Sequence, residues 1–185
     1  MLMADSDEPV VLASPQFDGC LVATYADILT PELIAGYGPR LVVIDRGLGD
    51  PHHMATVADV ENGALSIGAA VARVKEWNAA GVPFPTVYHD RAIDSEMTAA
   101  LGSERCFRWI ATLDGTLVPD VPRHDVVQFA GAATVGLHAD LSIVWNPSWH
   151  PQAAGPTAGA IRQVKIVADA ISKQAAALEA AARAL

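Results

Sequence analysis

Asp59-Val60-Glu61 sets two carboxylates two residues apart at the end of an apolar run, Thr56 to Val60. If that run is a strand, its period of two puts Asp59 and Glu61 on one face, with Cβ atoms roughly 7 Å apart. Neighbouring carboxylates repel, so one is expected to hold its proton to a higher pH and to act as a general acid. Glycoside hydrolysis uses such a pair. The tripeptide also suits a solvated strand end, and spacing alone leaves both readings open.

Other polar side chains sit where apolar runs stop. Tyr25 and Asp27 follow Cys20 to Thr24, and Asp45 and Arg46 follow Arg40 to Ile44. His89, Asp90 and Arg91 follow Thr86 to Tyr88, Asp114 follows Trp109 to Thr112, and Gln128 lies near the end of Val126 to Phe129. Polar groups gathered at strand ends fit a cleft at one rim of a sheet or barrel. Trp109, Trp145 and Trp149 are candidates for stacking on a sugar ring, with a place in the core as the competing role for each. His52-His53, His89-Asp90, His124-Asp125 and His138-Ala139-Asp140 lack the spacing of a metal site, so no metal and no cofactor is expected. The chain has no GxSxG elbow, P-loop or GxGxxG motif.

The elements that must position these residues are short. A seventh apolar run, Leu141 to Trp145, completes the set. The runs are continuous instead of alternating, which predicts strands buried on both faces, as in a parallel sheet. Thr30-Pro31-Glu32 reads as a helix start, with a capping hydroxyl, a proline at the first helical position and an early acid. Ser66 to Ala80 carries Ile67, Ala70, Val71, Val74 and Trp77 on one helical face and stops at Gly81. A further helix opens at Asp94 or Ser95 and ends near Gly102. Strand and helix in repetition predict an α/β domain with right-handed crossovers.

Composition narrows the class. The chain has 185 residues, 51% of them hydrophobic, and a net charge of -9. Such a chain builds a core without staples, and its acidity disfavours nucleic acid and anionic membrane surfaces. No run is long enough to span a membrane, and the acidic N-terminus lacks the pattern of a secretory signal. Cys20 and Cys106 form no metal-type pair, and whether they bond to each other stays open.

Residues 1–15 read as a flexible acidic arm, with Val10 to Leu12 a candidate short strand, and 16–151 as the α/β domain. Residues 152–156 read as a linker. In 157–185, Ile161, Val164, Ala168, Ile171, Ala175, Leu178, Ala182 and Leu185 alternate in steps of three and four. That seam predicts a coiled-coil helix for self-association or docking, with packing on its own domain as the alternative.

Taken together, Asp59-Val60-Glu61, the following helix, Gly81-Val82-Pro83 and Pro85-Thr86-Val87-Tyr88 resemble the lysozyme-like glycoside hydrolase family 25, closest to its shortened actinobacteriophage type. Arg108-Trp109-Ile110-Ala111, Val127-Gln128-Phe129 and Ala139-Asp140-Leu141-Ser142 resemble its later strands, and Tyr25-Ala26-Asp27 its first-strand aspartate. The resemblance covers Gly19 to Pro151 and implies a shortened or irregular TIM-like β/α barrel acting on bacterial cell-wall glycan. It implies Glu61 as general acid, Asp59 as second carboxylate or as an anchor for a substrate acetamido group, and Asp27 and Asp140 as the rest of an acidic cleft. Tyr25, Tyr88, His89, Asp90, Trp109 and Gln128 would bind substrate. With the heptad helix and no signal peptide, the implied setting is a phage virion, as a tail or capsid accessory protein, or the host cytoplasm before lysis. The partners would be peptidoglycan and, through 157–185, other copies or virion proteins. A catalytically silent structural protein on the same barrel is the alternative.

Leu41-Val42-Val43-Ile44-Asp45, Ala79-Ala80-Gly81-Val82-Pro83 and His89-Asp90 also resemble the isochorismatase-like cysteine hydrolases. That likeness would ask Cys106 to be a nucleophile, with Asp45 and Lys75 in support.

Overall fold

The computed structural model describes residues 1–113, 124–131 and 138–151. The predicted coiled-coil helix (157–185), the linker (152–156) and Asp114 lie outside the described residues.

Eight strands close into a barrel in chain order. They are β1 (Leu2–Asp5), β2 (Leu21–Tyr25), β3 (Leu41–Asp45), β4 (Val57–Val60), β5 (Thr86–Asp90), β6 (Phe107–Ala111), β7 (Val126–Ala130) and β8 (Asp140–Val144). The described α-helices are α1 (Pro31–Tyr37), α2 (Ile67–Ala80) and α3 (Asp94–Leu101). Neighbouring strands run parallel from β1 to β7. β8 departs from the expected parallel sheet, because it runs antiparallel to both β7 and β1. The seven apolar runs coincide with β2 to β8 to within a residue or two.

The helix starts follow their local chemistry. The Thr30 hydroxyl accepts from the Leu33 amide, and the Ser66 hydroxyl accepts from the Ala69 amide. Each satisfies one of the donors that a helix start leaves open. Gly81 ends α2 in the left-handed conformation, with φ +70°.

The N-terminus corrects the sequence expectation. Residues 1–15 are not a flexible arm. Leu2–Asp5 is β1, buried along its whole length, and it joins β2 to β8 to close the barrel. Val10 to Leu12 is not a strand but part of a 3-10 turn, Pro9–Ala13. With β1 counted, Asp59-Val60-Glu61 ends the fourth strand, not the third.

Alternate residues divide the core into two layers. Met3, Leu21, Ala23, Ile44, Val57, Tyr88, Trp109 and Val126 pack together inside the barrel. Leu2, Ala4, Val22, Val43, Ala58, Val87 and Leu141 face outward, with Ala70, Val74 and Trp77 of α2 and Met97 and Leu101 of α3 packed against that layer. Trp149 fills the barrel floor, its indole N–H donating to Thr86 Oγ1 at 2.9 Å. Trp109 stands above it at 6.2 Å between ring centroids, and Tyr88 stands 4.9 Å from Trp109.

Deleting residues 1–5 removes the strand between β2 and β8. The expected outcome is loss of the near-ultraviolet circular dichroism signal and of cooperative thermal unfolding. A truncated chain that melts like the full one would restore the arm reading.

Candidate active site at the barrel mouth

The strands run parallel, so their C-terminal ends share one rim, and the reversed β8 places its first residue there. Asp5 ends β1, Asp59 lies one residue before the end of β4 with Glu61 just beyond it, and Asp140 opens β8 directly across from Asp5 in the antiparallel register. These carboxylates line one cavity of about 190 Å³ together with Tyr25, Tyr88, Trp109, Gln128 and Leu113. A second, more open groove of about 550 Å³ lies beside it, lined by Val60, Glu61, Asn62, Ser66, Ile67, Asp90 and Ile93. Glu61 lines both, so it stands on the divide between cavity and groove.

Local structure aims the pair. After Glu61 the chain turns through Gly63, at φ +92°. The Ala64 amide donates to Glu61 O at 3.1 Å and the Leu65 amide to Asp59 O at 3.0 Å. This leaves Asp59 inside, 3% exposed, and Glu61 at the surface. The Tyr88 hydroxyl donates to Glu61 Oε1 at 2.7 Å. Burial and the Glu61 charge push the Tyr88 phenol upward, so it stays a donor.

Burial and the charge of Glu61 push the Asp59 carboxyl up to about 7, against a smaller opposing pull from Arg46. Asp5 is also raised well above the ordinary aspartate range, by burial first and then by Asp140, Glu61 and Asp59. Among the described residues, Asp5 Oδ1 and Asp59 Oδ1 are buried with no hydrogen-bond partner. Such atoms carry a desolvation cost that a bound polar ligand relieves. Gln128 Nε2 donates to Asp140 Oδ2 at 2.8 Å. Gln128 faces inward by alternation with Val126 on β7, and a bulge between Gln128 and Ala130 follows it.

The site differs from the sequence expectation at several residues. Asp27 does not line the cavity. It clamps Arg46 through two bonds, Nε to Oδ1 at 2.9 Å and a terminal nitrogen to Oδ2 at 2.6 Å. Arg46 in turn lies over the Tyr25 ring, 4.3 Å from its centroid. The place of a first-strand aspartate belongs to Asp5. The signal for it was present, since Leu2-Met3-Ala4-Asp5 repeats the pattern of an apolar run ending in an acid, but the neighbouring Asp7 and Glu8 disguise it.

His89 is also not in the cleft. It points out of the barrel under α3 and is fully buried. A guanidinium nitrogen of Arg108 lies 3.0 Å from its Nε2, and its Nδ1 lies 2.9 Å from the Asp90 carbonyl. Arginine can only donate, so His89 is the neutral Nδ1–H tautomer. Burial lowers its pKa in agreement. Asp90 caps the turn after β5 by accepting from the Ala92 amide, and it borders the open groove. Trp109 forms the cavity floor with no exposed surface, and its indole N–H donates to Ser142 Oγ at 3.1 Å. It is a floor and not an open stacking platform. Asp45 faces outward to Arg73 Nε at 2.9 Å.

Neither Cys20 nor Cys106 is in a disulfide. Cys106 precedes β6, at the rim opposite Asp45, and burial pushes its thiol up to about 11. Lys75 is exposed on α2. Those placements give no support to a cysteine nucleophile. Among the described residues no group of three or more His, Cys, Asp or Glu side chains is arranged to hold a metal ion. No described helix is long and apolar enough to cross a membrane.

The fold and site define a closed α/β barrel with a carboxylate-lined mouth. Comparison of the sequence with protein-family models gives no match, and comparison with curated proteins gives none either.

The raised Asp59 pKa has a consequence for stability. A folded-state value above the unfolded one makes stability fall as pH rises from 3.8 to about 7. Asp59→Asn is therefore expected to raise stability at pH 8 by about 2–4 kcal/mol and to change little at pH 4. Urea denaturation at the two pH values measures it, and an equal effect at both would contradict the assigned shift.

Proposed function

We propose that this protein is a glycosidase directed at bacterial cell-wall glycan, with Glu61 as its general acid. The observation that carries the reading is the position of Glu61. It borders both the closed cavity and the open groove, and it adjoins an aspartate whose proton is held to about pH 7. A cavity of about 190 Å³ has room for one sugar ring. A bond between that ring and the next sugar, lying in the groove, would then cross at Glu61.

In this reading the Tyr88 hydroxyl holds Glu61 Oε1, which leaves Oε2 to carry a proton toward the glycosidic oxygen. Asp59 holds its proton to about pH 7, and in this reading that proton passes to Glu61 Oε2 as Glu61 serves the leaving oxygen. Glu61 protonates the leaving oxygen as the carbon–oxygen bond breaks. The positive charge that develops on the ring is met by Glu61 once it has given up its proton and by Asp140 across from Asp5. Water then supplies the hydroxyl for the ring carbon, and its proton returns to the pair. One bond is hydrolysed and the site is reset. The resemblance to family 25, which rests on the same Asp59-Val60-Glu61 run, implies the same assignment.

The test is release of new reducing ends from purified peptidoglycan by the wild type and by Glu61→Gln. Wild-type activity is expected to fall as pH rises through about 7, where Asp59 loses the proton it supplies. Glu61→Gln is expected to lose activity by about a hundredfold or more, with its melting temperature unchanged or higher. Release by neither protein between pH 4 and 8 would overturn the reading and leave the barrel as a scaffold. An active Glu61→Gln would remove Glu61 as the acid.

A further inference from the structure

Leu113 is out of place by ordinary rules. It is a leucine with φ +54°, in the left-handed region that a branched side chain disfavours. The residue is also 47% exposed. Neither burial nor backbone preference explains it. The amides of Thr112 and Leu113 both donate to the Gln128 carbonyl, at 2.9 and 3.3 Å, which fixes the kink just after β6. The same Gln128 holds Asp140 with its side chain. The kinked leucine lines the carboxylate cavity. Facing it is Gly131, where an added Cβ would lie 3.9 Å from Leu113 Cδ2 and 3.8 Å from Asp140 Oδ1. Leu113 and Gly131 thus form an apolar lip on an otherwise polar mouth. Of the four described non-glycine residues with positive φ, Leu113 is the one that lines this cavity, and such strain clusters at functional sites.

We propose that Leu113 is a specificity-determining residue that packs against the methyl of an N-acyl group on the bound sugar. This rests on the glycan reading above. The cavity presents two kinds of unmet demand. Asp5 Oδ1 and Asp59 Oδ1 are buried polar atoms in need of a hydrogen-bond partner. Leu113 offers exposed aliphatic surface to the same space. A hydroxyl meets only the first demand. An acetamido group meets both, because its N–H and C=O are polar and its end is a methyl. A flat sugar face would favour an aromatic ring over a branched aliphatic chain, and the cavity's aromatic floor, Trp109, is fully buried.

The experiment titrates wild type, Leu113→Ala and Leu113→Gly with tri-N-acetylchitotriose and with cellotriose, both uncharged, following protein resonances by NMR. Wild type is expected to bind the acetylated trimer at least about tenfold more tightly than cellotriose. Leu113→Ala is expected to reduce that preference about tenfold, by weakening the acetylated trimer more than cellotriose. Leu113→Gly is expected to lose the same preference while melting at the same or a higher temperature, since glycine relieves the backbone. That combination separates a contact from a fold effect. Binding of both trimers with a preference that Leu113→Ala does not alter would overturn the role of Leu113 and leave the glycan reading intact. Binding of neither trimer by wild type, with no release of reducing ends, would overturn the glycan reading and this inference with it.

Discussion

One register decides the chemistry at the barrel mouth. β8 runs against both of its neighbours, so its first residue, not its last, stands at the rim where the parallel strands end. That reversal sets Asp140 across from Asp5. A parallel eighth strand would have carried its C-terminal residue, Val144, to that rim. With Asp59 and Glu61 arriving on β4, the barrel gathers more negative charge than a small cavity can hold ionised. The molecule answers by keeping protons, which is why Asp5 and Asp59 are both pushed upward. Desolvation leads in both cases, and mutual repulsion adds to it.

Desolvation itself comes from below. Trp149, Trp109 and Tyr88 form a column of rings from the floor to the mouth. Each polar atom of the column has a partner: Thr86 for Trp149, Ser142 for Trp109, Glu61 for Tyr88. The column therefore fills the barrel without leaving an orphan donor, and it ends in a hydroxyl that orients the exposed carboxylate. Packing and positioning are done by the same side chains. A smaller residue at Trp109 would admit water under Asp59 and weaken the cause of its raised pKa.

The strands were legible because each is a short apolar run with a polar stop, and both faces of the wall are buried. The helices were legible because Thr30, Ser66 and Gly81 mark their ends chemically. β1 escaped for a physical reason. It has three apolar residues in a row, and the acids around it match the composition of a disordered tail. Hydrophobic runs report burial but not chain direction, so the antiparallel β8 was also hidden. At the site, the Asp59-Val60-Glu61 spacing was informative because both carboxylates reach one cavity, although Glu61 stands just past the strand. Asp27 misled because an acid after a strand can face an arginine as readily as a cleft. His89 misled because the residue beside Tyr88 necessarily points the other way. Leu113 left no trace at all, since a backbone angle is invisible in residue type.

That opposition of Tyr88 and His89 has a wider meaning. The barrel wall is one residue thick, and neighbours in the chain belong to separate environments. Inward residues meet whatever enters the mouth. Outward ones hold the helices, as His89 and Arg108 do beneath α3, where Arg108 donates to Asp94 Oδ1. The two sets share a backbone but few side-chain contacts. Fold and chemistry can therefore be inherited separately: lineages carrying this scaffold are free to exchange the lining of the mouth, or to let it fall silent, while the outer layer keeps the barrel standing.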